Sequence, residues 1–157
     1  GGGGKGMREC FGEEDFEKDF LTEQRESANA FSDDTMYLEK LILEPRHVEV
    51  QIMGDNFGNV VALGERDCSI QRNHQKLVEE SPSPIVSPET RKKMMEAAVK
   101  AAKSVQYTGA GTIEFIMDKS GEFYFMEMNT RIQVEHGVTE LLTNTDLVME
   151  QIRIAAG

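Results

Sequence analysis

Residues 112–136, TIEFIMDKSGEFYFMEMNTRIQVEH, decide how this chain is read. Two short apolar runs, TIEFIMD and EFYFMEMN, flank Lys119-Ser120-Gly121, a spacing that predicts a β-hairpin. A two-residue loop at Ser120-Gly121 pairs Lys119 with Glu122 and sets Glu114 opposite Glu127. Side chains alternate along a strand, so Asn129 shares the face of Glu127. Ile116, Phe123 and Phe125 are predicted beside these polar groups. The other face takes Ile113, Phe115, Met117, Tyr124, Met126 and Met128, and both faces read as mostly buried. Two adjacent buried carboxylates repel and need neutralising. A shared proton does this, a divalent cation on oxygen ligands does it too, and so does a Glu tipped outward or paired with Arg131. A three-residue loop in place of two sends the carboxylates to opposite faces.

Beyond the hairpin, Arg131, Gln133 and Glu135 alternate with Ile132 and Val134. An extended backbone there lines up a guanidinium, which grips a planar oxyanion, with a carboxylate able to take a proton. A solvated strand face with an Arg-Glu pair is the plain alternative.

Composition bounds the function. The chain has 157 residues, 39% apolar and 29% charged, enough for one modest domain or parts of two. Net charge is −11, from 28 acidic and 17 basic residues, which argues against a nucleic-acid surface. No apolar run is long enough for a membrane-spanning helix. Cys10 and Cys68 form no spaced metal motif and fit a reducing compartment. The opening on Gly1, without Met, is read as the start of a piece of a longer protein.

In chain order, GGGGKGMR is a glycine-rich stretch able to cradle phosphate, with Lys5 or Arg8 adding charge, or else a plain linker. Residues 15–31 read as a helix with Phe16, Phe20, Ala28 and Phe31 near one side. MYLEKLIL (36–43) reads as a buried strand or connector holding Glu39 and Lys40. HVEVQIM alternates, with His47, Glu49 and Gln51 on one face; NVVALGERDCSIQ returns as its partner, so residues 36–71 read as antiparallel sheet. The cluster Gln71-Arg72-Asn73-His74-Gln75-Lys76 is rich in donors. Ser87 and Pro88 open a helix whose stripe is Met94, Met95, Ala98, Ala102 and Val105. A last helix begins at Asn144 or Thr145, with Leu147, Val148, Ile152 and Ala155 inward.

Together GGGGKGMR, EKLILEPRHVEVQ, ERDCSIQRNHQK, GAGTIEF and FMEMNTRIQVEH, in this order, resemble the biotin carboxylase component of biotin-dependent carboxylases, in the ATP-grasp superfamily. Within the family the likeness is to the free-standing subunit of bacterial acetyl-CoA carboxylase, a cytoplasmic enzyme of fatty acid synthesis. The resemblance implies an α+β, partial ATP-grasp fold with a largely antiparallel sheet flanked by helices. Residues 1–41 would end the lid, and 42–157 would begin the large catalytic subdomain. It implies that Gly3 and Gly4 belong to the lid over ATP, that Glu39, Lys40 and Ile42 read adenine, and that His47, Gln71 and His74 contact ribose and phosphates. Glu114 and Glu127, helped by Asn129, would hold magnesium or manganese. Lys76, Arg131, Gln133 and Val134 would bind bicarbonate, with Glu135 as general base and Arg131 also facing biotin.

The implied reaction makes carboxyphosphate from bicarbonate and ATP, then carboxylates biotin on its carrier protein. A carboxyltransferase follows, and the family is commonly dimeric. Asn73 stands where the family usually has Arg, and Gly137 where it has Pro. Lysines upstream and an arginine downstream fall outside the chain, so the piece alone is expected not to turn over. The alternatives are the same component of another acyl-CoA, pyruvate or urea carboxylase, another ATP-grasp ligase, and a catalytically silent nucleotide-binding module.

Overall fold

The computed structural model describes residues 7–157; Gly3, Gly4 and Lys5 lie outside them. The described elements are α1 (Glu13–Phe31), β1 (Arg46–Gly54), β2 (Val60–Arg72), β3 (Gln75–Glu80), α2 (Pro88–Ser104), β4 (Gly109–Met117), β5 (Phe123–Asn129), α3 (His136–Thr143) and α4 (Leu147–Ala156). The sheet order is β3-β2-β1-β4-β5. The chain divides into two compact units, Gly1–Ile42 with Gln71–Gln75, and Leu43–Ile70 with Lys76–Gly157.

In the first unit, three acidic residues, Glu13, Glu14 and Asp15, fill the first turn of α1, where they complement the helix dipole. The helix ends at Ser32, which turns into the left-handed region (φ 57°) and bonds back to the Ala28 carbonyl. Its buried residues are Glu23 and Ser27, not the predicted Phe16 and Phe31, which remain exposed. Phe16 and Phe20 pair with each other instead, ring centroids 5.8 Å apart. Arg8 donates to Glu23 (3.1 Å) and lies 3.7 Å from Asp19 and Glu26. Residues 36–43 form neither helix nor strand, and Tyr37 and Leu38 are exposed; a run of apolar residues specifies a strand only where a partner is on hand. The expected sheet therefore begins at Arg46. Asn73 (φ 51°) and His74 (φ 60°) make a turn with both central residues left-handed, a conformation that Asn accepts readily.

The core of the second unit lies between one sheet face and α2. β1 and β4 pair from Arg46↔Met117 to Gly54↔Gly109, which puts Val48 beside Phe115 and Val50 beside Ile113. These residues pack with Met94, Ala98 and Ala102 of α2, all fully buried. Each Val, Ile, Phe or Met so buried contributes about 1.5–3 kcal/mol. Ser87 caps α2 through its hydroxyl, which accepts from the Thr90 N–H (3.1 Å), as its Ser-Pro start predicts. The stripe stops one residue short, because Val105 is the C-cap and is exposed. Glu65 and Asp67 are buried and hold the connector before α2 by accepting from the Ser83 N–H (3.1 Å) and Ser83 Oγ (2.9 Å) respectively, and Glu65 also accepts from Arg91 Nε of α2 (2.7 Å).

Gly54 sits where the chain runs close to itself. A Cβ there would lie 2.2 Å from the Tyr107 carbonyl oxygen. Gly54→Ala is expected to destabilise the chain by about 1–3 kcal/mol, toward the upper end because a backbone carbonyl cannot swing aside. A urea midpoint equal to that of the parent would refute this.

The hairpin reaches its predicted pairing by another route. Asp118 N bonds to Glu122 O, and Gly121 carries the left-handed φ of 87°. The loop is thus three residues, Lys119 to Gly121, with Met117 opposite Phe123. A register shift between Glu114 and Phe115 then inserts Met126 as a β-bulge in β5. The extra loop residue and the extra strand residue cancel, and Glu114 stands opposite Glu127. Between loop and bulge the predicted faces invert. Phe123 and Phe125 register with Met117 and Phe115, and the Phe115 and Phe123 rings meet edge to face, centroids 5.3 Å apart. Among the described strands β5 is at the sheet edge and mostly exposed, not buried on both faces.

Two helices follow where one is predicted. α3 is an additional helix; α4 starts after Asp146, whose carboxylate accepts from the Met149 N–H (2.8 Å). Leu147 is buried as expected, but Val148, Ile152 and Ala155 are exposed. Ile154 packs near Leu147, Met53 and Ala110 instead. Among the described residues no helix is long and apolar enough to cross a membrane.

Candidate active site

The face of β1 and β4 turned away from α2 is polar and still buried. Glu49 pairs with Glu114 and Gln51 with Thr112 across the two strands, and all four side chains are buried. Arg66, opposite Glu49 on β2, reaches over them. It is fully buried and donates to Glu49 (2.6 Å), Gln51 (2.7 Å), Thr139 (2.7 Å), Thr112 (3.4 Å) and Gln133 (3.4 Å). A buried guanidinium persists only when its N–H groups and its charge are both answered, and here Glu49 and a ring of neutral oxygens answer them.

Lys76 enters from β3. Its ammonium donates to Glu49 (2.5 Å), Glu114 (3.0 Å) and Glu135 (2.7 Å). Burial works to lower its pKa, but Glu49, Glu135 and Glu114 outweigh that and hold it above its ordinary value. Glu114 is satisfied on both oxygens: Oε2 faces His47 Nε2 at 2.7 Å, while Oε1 accepts from Lys76, Asn129 (2.8 Å) and Gln133 (3.0 Å). Its burial pushes the pKa up, yet the His47 hydrogen bond and the Lys76 charge win and draw it down to about 2. Glu135 behaves alike: burial raises its pKa, and the Lys76 hydrogen bond, a backbone N–H and the charges of Lys76 and Arg66 hold it below the carboxylate range.

A carboxylate whose pKa falls on folding adds stability above its unfolded value and loses it as pH falls through the folded one. For Glu114 that window runs from 4.5 down to about 2. The melting temperature is therefore expected to drop across that range, and Glu114→Gln to flatten the drop. Superimposable parent and variant curves would show that this carboxylate carries no such linkage.

The structure assembles some predicted residues and separates others. Glu114, Lys76, Gln133, Glu135 and His47 converge. Glu127 is exposed, linked to the cluster through Asn129, whose amide N–H also reaches it at 3.2 Å. Arg131, Gln133 and Glu135 do not line up along a strand, because β5 ends at Asn129 and the chain coils into α3. Gln133 turns inward and is buried, Glu135 becomes the N-cap of α3, and Arg131 stays exposed with Nη2 3.4 Å from Asn129 Oδ1. The Val134 side chain is 96% exposed. In the first unit Glu39, Lys40 and His74 are exposed, while Ile42 and Gln71 are half-buried.

Sequence reasoning missed Arg66, Glu49, Gln51, Thr112 and Thr139 as parts of one cluster. The available signal was the polar alternation His47-Glu49-Gln51 in a strand whose other face is wholly aliphatic.

Glu114, Glu127 and Asn129 put two carboxylates and an amide on one face of adjacent strands, a donor set suited to a hard divalent cation. Asn129 presents its N–H to both carboxylates, so ligation through its oxygen requires the amide to turn over. Two further groupings, His47-Glu49-Glu114 and Glu49-Cys68-Glu135, bring ligand atoms within 4.8 Å. Lys76 already bonds the carboxylates of both. Burial, then the Glu49 charge, push the Cys68 pKa up and keep its thiol protonated.

The sequence family described as carbamoyl-phosphate synthase L chain, ATP binding domain, matches residues 1–157. A biotin carboxylase from Nostoc sp. is 61% identical over all of the chain, which covers 35% of that protein. A Campylobacter jejuni biotin carboxylase, solved as a β,γ-ATP complex, is 54% identical with a TM-score of 0.93, and 35% of it is covered. The biotin carboxylase domain of Hydrogenobacter thermophilus 2-oxoglutarate carboxylase was solved as a dimer with MgADP, ADP and bicarbonate. It is 54% identical with a TM-score of 0.91, again with 35% covered. The chain thus spans about a third of the length of these relatives. Matched from end to end and sharing their antiparallel sheet and flanking helices, this chain belongs to the carbamoyl-phosphate synthase L chain, ATP binding domain family and carries part of the ATP-grasp fold of its biotin carboxylase members.

Proposed function

We propose that this chain is part of a biotin carboxylase, which uses ATP and bicarbonate to carboxylate biotin on a carrier protein through carboxyphosphate. The observation that carries this reading is the Lys76 ammonium, bonded at once to Glu114 and Glu135. It joins a carboxylate suited to a nucleotide-bound cation to one suited to proton abstraction. Residues 1–41 are then the end of the lid and 42–157 the beginning of the large catalytic subdomain, with Gly3, Gly4, Glu39, Lys40, Ile42, Gln71 and His74 assigned to ATP.

Magnesium (or manganese), held by Glu114 and Glu127 with Asn129, supplies positive charge against the nucleotide phosphates when bound. Lys76, Arg131, Gln133 and the Val134 backbone bind bicarbonate, exchanging the ammonium's contact with Glu135 for one with the anion. Glu135 removes the bicarbonate proton, because the neutral O–H is a poor nucleophile. The freed oxygen attacks the γ-phosphorus as the bond to ADP breaks, and His47 and Lys76 offset the spreading negative charge. Arg131, exposed and held only by long contacts, is free to swing toward biotin and steady negative charge on its ureido oxygen.

The partners inferred are a biotin carboxyl carrier protein, a carboxyltransferase and a second copy of the complete protein. Acetyl-CoA carboxylase of the cytoplasm, serving fatty acid synthesis, is the assigned setting. The 2-oxoglutarate carboxylase relative marks the alternative, the same component serving another acceptor. The test is phosphate release by the complete protein with ATP, magnesium and free biotin. Release is expected to rise with bicarbonate and saturate. A rate indifferent to bicarbonate would point to another ATP-grasp ligase, and no release at all to a silent module.

A further inference from the structure

Arg66 has no assigned role above, yet its contacts single it out. Its side chain holds Gln133 on one side of Glu135 and Thr139 on the other (3.4 and 2.7 Å). A third arm holds Glu49 at 2.6 Å, and Glu49 in turn accepts from Lys76. Gln51 and Thr112 fasten the same guanidinium to the two central strands.

We propose that Arg66 is the positioning residue of the catalytic base: it clamps residues 133–139 to the sheet from both sides of Glu135 and, through Glu49, sets the Lys76 ammonium that Glu135 meets. This rests on the reading of Glu135 as the base. Local structure explains why a clamp is needed. Glu135 lies in a turn at the start of a helix of one short stretch, His136–Thr143, and its side chain makes no capping bond there. Within the turn the carboxylate meets the Glu135 backbone N–H, a bond that travels with the turn and does not fix the turn against the sheet. Thr139, one helical turn into α3, is buried and gives Arg66 a rigid handle on that helix. An Arg suits the task because its fork of five donors reaches several acceptors in fixed geometry, which an ammonium does not.

The test uses the complete protein with Arg66→Lys and Thr139→Val. Lysine keeps the positive charge beside Glu49, so folding is protected, but it cannot span Gln133, Thr139 and Glu49 together. Arg66→Lys is expected to lower kcat for bicarbonate-dependent ATP cleavage about 100-fold, with KM for ATP within about threefold, because misplacing a base by about an ångström costs rate rather than nucleotide binding. Thr139→Val, which removes one arm only, is expected to show the same split at about tenfold. If the lysine variant does not fold, Thr139→Val decides alone. Unchanged kcat per folded molecule, or parallel loss of kcat and ATP affinity, overturns the proposal.

Hydrogen exchange in nucleotide-free protein separates this idea from the function it rests on. The amides of His136 and Val138, bonded to the Gln133 and Glu135 carbonyls, should exchange about tenfold faster in both variants. Unchanged protection overturns the clamp even if bicarbonate dependence holds. Faster exchange in a protein indifferent to bicarbonate upholds the clamp and removes the base.

Discussion

Glu135→Gln in the complete protein is expected to cut bicarbonate-dependent ATP cleavage by about 10²–10⁴-fold, the range for losing a positioned general base. The amide keeps the size of the carboxylate and an oxygen for Lys76, but it cannot hold a proton taken from bicarbonate. Stability should fall by less than for Glu49→Gln, because the half-buried Glu135 carboxylate, its pKa lowered on folding, supplies only part of it. Lys76 retains Glu49 and Glu114, and the Glu135 side chain makes no capping bond to α3. ATP affinity should also hold, because the Glu135 contacts are with Lys76 and its own segment. The measurement is steady-state phosphate release against bicarbonate at fixed ATP, with nucleotide binding by calorimetry. A kcat within about tenfold of the parent would remove Glu135 from the role of base.

The largest effect on stability is expected at Glu49. This carboxylate is fully buried and is shared by Arg66 and Lys76. Glu49→Gln preserves shape and packing while leaving the enclosed guanidinium without its counter-charge. Removing one partner of a buried ion pair typically costs about 3–5 kcal/mol, mostly the penalty of the charge left behind. Glu114 and Glu135 cannot replace it, since both already hold Lys76 and neither bonds Arg66. Urea unfolding of the 157-residue chain measures the loss directly. A midpoint that stays put would mean that the polar neighbours of Arg66 carry its charge unaided. The double variant Glu49→Gln with Arg66→Met should recover part of the loss, because deleting both charges removes the uncompensated one.

Much of the second unit is legible in the residues. Strict alternation in HVEVQIM yields β1, and Ser-Pro followed by a Met/Ala stripe yields α2. The paired apolar runs yield β4 and β5, down to Glu114 opposite Glu127. That last success came from two one-residue deviations of opposite effect, a longer loop and a bulge, and neither has a mark in composition. Packing settles the pair: the longer loop seats the Phe123 ring against Phe115, and the bulge returns Glu127 to the side of Glu114. The candidate site divides in the same way. Glu114 stands out because a carboxylate amid apolar strands demands a partner, whereas Lys76 and Glu135 are singled out by the resemblance. Arg66 hides between Glu65 and Asp67, in a run that reads only as part of the returning strand. In fact all three are buried, with Arg66 on the face of Glu49 and its neighbours directed toward Ser83 and Arg91.

Local order of polar and apolar residues was sufficient to determine β1, β2, β4, β5 and α2, and five quoted motifs carried the family likeness. The tertiary structure alone decided that the polar side of β1 is enclosed, that Arg66 is its hub, and that Gln133 and Glu135 turn inward while Arg131 does not. The reason is physical. Alternation fixes which residues share a face within a few positions of chain, but whether a face meets water depends on what distant segments lay against it. Here those segments are Lys76 on β3 and residues 133–139 leading into α3.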